Sequence, residues 1–292
     1  MNNITKNLIL SPFNLLYKLS PELDLKILFY LKQGYKLNLR NPKTYNEKLQ
    51  WIKLYDKNPL MPQCCDKYAV RNFVKEQGCN DILNELYWEG FNPEDILFDK
   101  LPEKFVIKVT HGSTFNIICT NKNDINRLEI INKCKKWLKG EFLPCYGEWF
   151  YGIEKPRVIV EKFLESSDDL QLRDYKVFCF NGEPKIIRVD TDRFTDHKMD
   201  FFDINWNRIE DGNMGYPVSG RDLEKPPCLE SMLEYAKKLS NPFYHARVDF
   251  YIVNNKVIFG EITFTNGAGF DKCSSYEFDK RLGDWLIIKN ID

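Results

Sequence analysis

The chain has 292 residues, 43% hydrophobic and 29% charged, with 42 Lys+Arg balanced by 42 Asp+Glu. That composition excludes intrinsic disorder and allows a substantial core in one large domain or two ordinary ones. Zero net charge removes the global basic field of a nucleic-acid partner, and no uncharged apolar run reaches the ~18 residues of a membrane-spanning helix.

Residues 7–16, NLILSPFNLL, lack a basic leader and a small-residue cleavage site. They read as an N-terminal helix docked on the fold, with a weak peripheral membrane or partner contact as the alternative. Asn41-Pro42-Lys43-Thr44 opens a helix continued by Glu47, Leu49, Trp51, Ile52 and Tyr55 and broken by Pro59 and Pro62. A second helix covers about 66–77, with Gly78 as its C-terminal cap. Residues 1–100 therefore read as mainly helical.

The character changes at Pro102. Residues 105–110, FVIKVT, are a strand; His111, Gly112, Ser113 and Thr114 form a loop of mostly small residues; 115–119 return as a strand. A helix near 124–138 precedes the strongly apolar strand 156–164. One hairpin joins 175–180 to 185–189 through Asn181-Gly182, the strongest short hairpin signal. A helix near 226–239 leads to a second hairpin, 246–253 and 257–263, around Asn254-Asn255. A glycine-containing loop at 266–269 and a short helix near 278–288 complete an α+β pattern rather than a doubly wound parallel sheet.

The nine cysteines contain no CxxC pair, are odd in number and follow no secretory signal, so they read as reduced thiols of a cytoplasmic protein. Three scattered histidines, His111, His197 and His245, give no zinc pattern.

The last hairpin carries the most chemistry. A two-residue loop would set Asp249 opposite Gly260. A three-residue loop of Asn254, Asn255 and Lys256 sets Asp249 opposite Glu261 and Arg247 opposite Thr263, and gathers Val248, Phe250, Ile252, Ile258 and Ile262 on one face. That sorting favours the second register. Two opposed carboxylates need a positive charge between them, and Mg²⁺ takes such ligands. Arg247 on the same face suits a transferring phosphoryl group. A surface Asp–Arg–Glu network is the plain alternative. Lys108, inside an apolar strand and before the loop, needs an anion, and the loop amides suit phosphates; an edge-strand lysine before a turn is equally simple. Glu161 suits an adenine amine or ribose hydroxyl, or marks where its strand reaches solvent. Arg173-Asp174-Tyr175-Lys176 reads as alternating surface charge or as part of a site.

In order, the strings NEKLQWIKLYD, DKYAVRNFV, LPEKFVIKVTHGSTFNIIC, RVIVEKFL, RDYKVFCFNGEPKIIRVD and ARVDFYIVNNKVIFGEITFTNGAGF resemble the teichuronic-acid-biosynthesis (TupA-like) branch of the ATP-grasp superfamily, over about residues 40–282. The resemblance implies an ATP-grasp fold, with a pre-grasp region (1–100), a first grasp subdomain (101–164) and a second with the metal site (165–292). It implies ATP and Mg²⁺. Lys108 resembles the phosphate-contacting lysine and His111–Asn116, with Gly112, Ser113 and Thr114, the phosphate loop. Glu161, Lys162, Phe163 and Leu164 resemble the adenine hinge; Lys67 and Asp174 match further nucleotide-side motifs. Asp249 and Glu261 resemble the metal ligands, with Thr263 where Asn is common and Asn266 as its substitute. Arg247 and Lys176 take the catalytic positions. The implied reaction is ATP-dependent ligation of a carboxylate, such as a sugar acid of a surface polysaccharide, to an amine. A kinase with Asp174, Asp192 or His197 as base, and a non-catalytic assembly protein or the glycosyltransferase label of some relatives, are the alternatives.

Overall fold

The computed structural model describes residues 3–112, 114–140, 142–165, 172–192 and 195–289, with side chains from residue 10. Five helices lead: α1 (Asn3–Leu19), α2 (Pro21–Gln33), α3 (Tyr45–Tyr55), α4 (Leu60–Cys65) and α5 (Val70–Glu76). α1 packs on α2. α3 starts where its sequence says it should. The Thr44 hydroxyl accepts from the Glu47 amide, and the Glu47 carboxylate accepts from Thr44 in return, a reciprocal cap. Gly78, at φ 70°, follows α5. Among the described residues, no helix is long and apolar enough to cross a membrane. All nine cysteines are free thiols.

The sequence reading leaves out β1 (Leu86–Gly90), which joins β2 (Phe105–Val109), β3 (Asn116–Cys119) and β4 (Val158–Lys162) in an antiparallel sheet of order β1-β4-β2-β3. Alternation sorts its two faces. Phe105, Ile107, Val109, Val158 and Val160 are buried against Ile130 and Cys134 of α6 (Arg127–Leu138). Val106, Lys108 and Glu161 lie on the opposite face.

The second sheet holds β5 (Asp174–Phe180), β6 (Glu183–Thr191), β7 (Lys198–Asp203), β8 (His245–Val253) and β9 (Lys256–Thr263), in the antiparallel order β7-β6-β5-β8-β9. α7 (Leu229–Ser240) packs on β5, β6 and β8. The other face is divided. At one end, Phe178, Phe180, Phe201 and His245 meet Tyr45 of α3 and Phe278 of α8 (Tyr276–Trp285). At the other end it carries charged side chains.

The last hairpin corrects the sequence reading. Its loop is Asn254-Asn255 alone, both left-handed at φ 50° and 59°, with Val253 opposite Lys256. Asp249 nevertheless faces Glu261 and Arg247 faces Thr263, because the register shifts between Asp249 and Phe250. The extra residue is Gly260, and a Cβ there would stand 2.9 Å from the Asp249 carbonyl oxygen. The bulge also exchanges apolar partners: Val257 and Phe259 pair with Ile252 and Phe250, whereas Ile258 turns to the Tyr251 side.

Candidate active site

Pairing across three strands puts Lys176, Asp249 and Glu261 in one row, with Arg188 beside Lys176 on β6. The next row holds Asp174 opposite Asp190. Asp174, Lys176, Arg188, Asp190, Arg247 and Asp249 are all buried, whereas the Glu261 side chain is 43% exposed and marks the open edge. Buried charge persists only when it is paired and hydrogen-bonded. Arg247 grips Asp249 with two parallel bonds, Nε to Oδ1 at 2.7 Å and Nη2 to Oδ2 at 2.8 Å. The same Nη2 reaches Glu261 Oε1 at 3.3 Å and Thr263 Oγ1 at 3.0 Å, and Nη1 donates to Asn266. The positive group between the opposed carboxylates is thus this guanidinium. Lys176 Nζ donates to Asp174 and to Asp249 Oδ2 at 3.0 Å, and lies 3.6 Å from Asp190 Oδ2.

Burial works to raise the Asp249 carboxyl, but Arg247 and Lys176 outweigh it and hold it at about 2. Asp174 goes the other way: burial pushes it up, Lys176 offsets part of this, and Asp249 and Asp190 add to the rise. Burial would lower the Arg247 guanidinium, yet Asp249 and Glu261 raise it above its usual value.

On the smaller sheet, Lys108 lies diagonal to Glu161 across the β2–β4 pair, and its Nζ donates to Glu161 Oε2 at 2.7 Å. Arg71 Nη1 takes Oε1 at 3.3 Å, so two cations answer one buried carboxylate. Lys162 is exposed, 3.6 Å from Glu85, and Phe163 and Leu164 follow the end of β4 half-buried. Lys67 links the sheets: Nζ donates to the Gly112 carbonyl at 2.8 Å and stands 3.9 Å from Glu261 Oε2. Gly112 and Thr114 both have positive φ, 80° and 67°, and Asn116 lies opposite Lys108 on β3. Ser113 falls outside the described residues. The His111 side chain is buried; its Nε2 donates to the Gly140 carbonyl at 2.8 Å and its ring meets Phe115 and Phe142 edge-on.

Most of the expected residues therefore converge in two clusters tied by Lys67. The sequence reading missed Arg71, Arg188 and Asp190. Arg71 follows Lys67 by four residues, one helical turn, and Arg188 and Asp190 alternate along β6 in IIRVD; those were the available signals. Of the three candidate bases of the kinase alternative, Asp174 is held by Lys176 within this network, His197 Nε2 stands 3.7 Å from Asp190 Oδ1 with its ring over Tyr216 at 4.0 Å, and Asp192 Oδ2 lies 2.6 Å from Arg221.

The sequence pattern of the family described as TupA-like ATPgrasp matches residues 47–287, most of the chain. The chain belongs to the TupA-like ATP-grasp family. Its fold is the ATP-grasp fold, α+β, with a helical N-terminal region and two antiparallel sheets carrying the facing clusters. Solved structures of similar shape include the D-alanine–D-alanine ligase of Bacillus anthracis (17% identity, 69% of this chain and 57% of that one, TM-score 0.42). Others are the Helicobacter pylori D-alanine–D-alanine ligase (16%, 83% and 69%, 0.44) and the Bacillus licheniformis L-amino acid ligase (12%, 84% and 55%, 0.46). The chain spans a little over half the length of the first of these. A comparison with curated proteins gives no match.

Among the described residues, no three His, Cys, Asp or Glu side chains converge as a metal centre. Asp249 and Glu261 stand as a pair, with the Thr263 hydroxyl in the neighbouring row. Mg²⁺ takes one or two carboxylates and completes its shell with water and phosphate oxygens, so these residues suit it by type, but an ion there would displace part of the bonds that Arg247 and Lys176 make to Asp249 and Glu261.

Proposed function

We propose that this chain is an ATP-dependent carboxylate–amine ligase. The observation that carries this reading is the buried ion network in which Lys176 and Arg247 converge on Asp249, beside the half-exposed Glu261, with Lys67 reaching toward the Lys108 sheet. Such a network is a weak source of stability, because apolar replacements of similar volume often stabilise a fold more. It is a good source of fixed positive charge aimed at a phosphoryl group.

In this reading ATP lies between the sheets. Glu161, with the backbone of Lys162, Phe163 and Leu164, contacts the base; Lys108, Lys67 and the turn of Gly112, Ser113, Thr114 and Asn116 contact the phosphates. Asp249 and Glu261 hold Mg²⁺, with Thr263 beside them, and the ion supplies charge neutralisation at the phosphates. The acceptor carboxylate oxygen attacks the γ-phosphorus, the bond to the β–γ bridging oxygen breaks, and ADP leaves. Arg247 and Lys176 neutralise the charge that develops. The amine nitrogen then attacks the acyl carbon and loses a proton, and phosphate departs as the acyl C–O bond breaks. The acceptor we favour is a sugar acid of a surface-polysaccharide precursor, and the compartment the cytoplasm.

The test is incubation with Mg-ATP and a mixed pool of nucleotide-linked uronic acids and amino acids, following ADP, phosphate and product mass. Equimolar ADP and phosphate with a product one water lighter than its parts supports the ligase. ADP without phosphate, and a phosphorylated product, overturns it in favour of a kinase.

A further inference from the structure

A cavity of about 500 Å³ lies beside the ion network, lined in part by Tyr17, His111, Phe142, Glu148, Trp149 and Tyr151. Neither the nucleotide nor the metal pair uses these side chains, His111 excepted, and the sequence reading gave His111 to the phosphate loop. Aromatic faces form much of the wall. Phe142 and Tyr151 stack at 4.4 Å and 9°, and the Trp149 ring already carries the Lys57 ammonium at 4.9 Å on its face. Such faces favour cations.

The polar atoms point the same way. Glu148 Oε1 accepts the Thr265 hydroxyl at 2.5 Å, and no other donor bonds this carboxylate among the described residues. The His111 Nε2 must be the donor to Gly140, because a carbonyl only accepts. Nδ1, the other ring nitrogen, is buried and without a partner among the described residues. A carboxylate with one hydroxyl donor, acted on by the Lys53 ammonium, and a buried ring nitrogen without a partner, within aromatic walls, leave room for a ligand that brings N–H groups. Trp149 Nε1, also buried and without a partner among the described residues, can donate to an oxygen on the ligand body.

The cavity's back wall joins the reacting end of the network. Thr265, which holds Glu148, adjoins Asn266 and lies two residues from Thr263, and both of those bond Arg247. The Tyr151 phenol is raised well above its usual value, first by burial, then by Glu148, Cys65 and Glu261. It therefore lies within the field of Glu148 in the cavity and of Glu261 and Arg247 in the ion network.

We propose that this cavity receives the amine co-substrate as a protonated primary amine on an apolar body, with its N–H groups on Glu148 and on His111 Nδ1; one proton leaves to solvent before the neutral nitrogen attacks the acyl carbon, and the second leaves as the amide forms. This deepens the ligase reading and rests on it. The probes are benzylamine and its neutral counterpart benzyl alcohol, titrated calorimetrically into the full chain at pH 7.5, with Mg-ATP binding measured on the same protein. Benzylamine is expected to bind about 10- to 100-fold more tightly than the alcohol, the span of a charged hydrogen bond. Glu148→Gln, which keeps the size and a partner for Thr265, is expected to erase that difference while leaving Mg-ATP binding unchanged. Equal binding of the two probes, no binding of benzylamine, or an unaltered preference in Glu148→Gln overturns the assignment. If Mg-ATP itself does not bind, the ligase reading falls; if Mg-ATP binds and the amine preference is absent, only the cavity assignment falls.

Discussion

Lys176 is the residue whose loss the structure makes most costly. Its ammonium is buried and serves Asp174, Asp249 and, at 3.6 Å, Asp190. In Lys176→Met the stem volume is kept and the charge removed, so Asp174 and Asp190 keep their burial and lose this cation. Breaking a buried pair in this way costs about 3–5 kcal/mol. An unfolding entropy of about 2.1 cal/mol/K per residue over 292 residues gives about 0.6 kcal/mol/K, so the midpoint should fall by about 5–8 °C. The loss should depend on pH. Asp174 already sits above its usual value through burial, and without Lys176 it rises further. A carboxyl raised above its unfolded value of about 3.9 favours the folded state when protonated, and that benefit is lost as pH rises through the folded value. The deficit should therefore be largest at pH 8 and shrink at pH 5. Differential scanning calorimetry at both pH values measures it, with Lys26→Met, at an exposed pair with Glu22, as the control that costs under about 1 kcal/mol. A Lys176→Met protein that melts within about 1 °C of the parent at pH 8, or with the same deficit at both pH values, would refute the reasoning.

Two further outcomes are expected. Glu261→Gln should abolish ADP release in the presence of Mg-ATP and acceptor while shifting the melting temperature by less than about 2 °C, because the side chain is 43% exposed; full turnover would sink the metal assignment. Gly283→Ala should destabilise by about 2 kcal/mol or more, read as a lowered denaturation midpoint. A Cβ there would stand 2.2 Å from the Lys43 carbonyl oxygen and 2.7 Å from the Thr44 carbonyl carbon, wedging α8 away from the start of α3; an unchanged midpoint would mean that contact is loose.

Local chemistry was legible in the sequence. Thr44 and Glu47 announced the start of α3, and Asn181-Gly182 announced a tight hairpin, because caps and turns depend on neighbours a few residues apart. Alternation along β8 and β9 correctly paired Asp249 with Glu261, although for the wrong reason. The loop is one residue shorter than expected, and a bulge at Gly260 makes up the difference. A compensating pair of this kind leaves the distant register unchanged, so periodicity could not reveal it.

The remaining arrangement joins residues far apart in the chain. Lys176 and Asp249 are 73 positions apart, Arg71 and Glu161 90, and Glu148 and Thr265 117. The sequence by itself determined the amphipathic helices and strands and the charged side chains that some of those strands carry. Only the packing of the two sheets and the leading helices decided which charges meet, that Arg247 fills the gap between two carboxylates, and that His111 lies in an aromatic cavity. The physical reason is that a buried charge is tolerated only where a partner's position is already fixed, and that position is a property of the folded chain rather than of any segment.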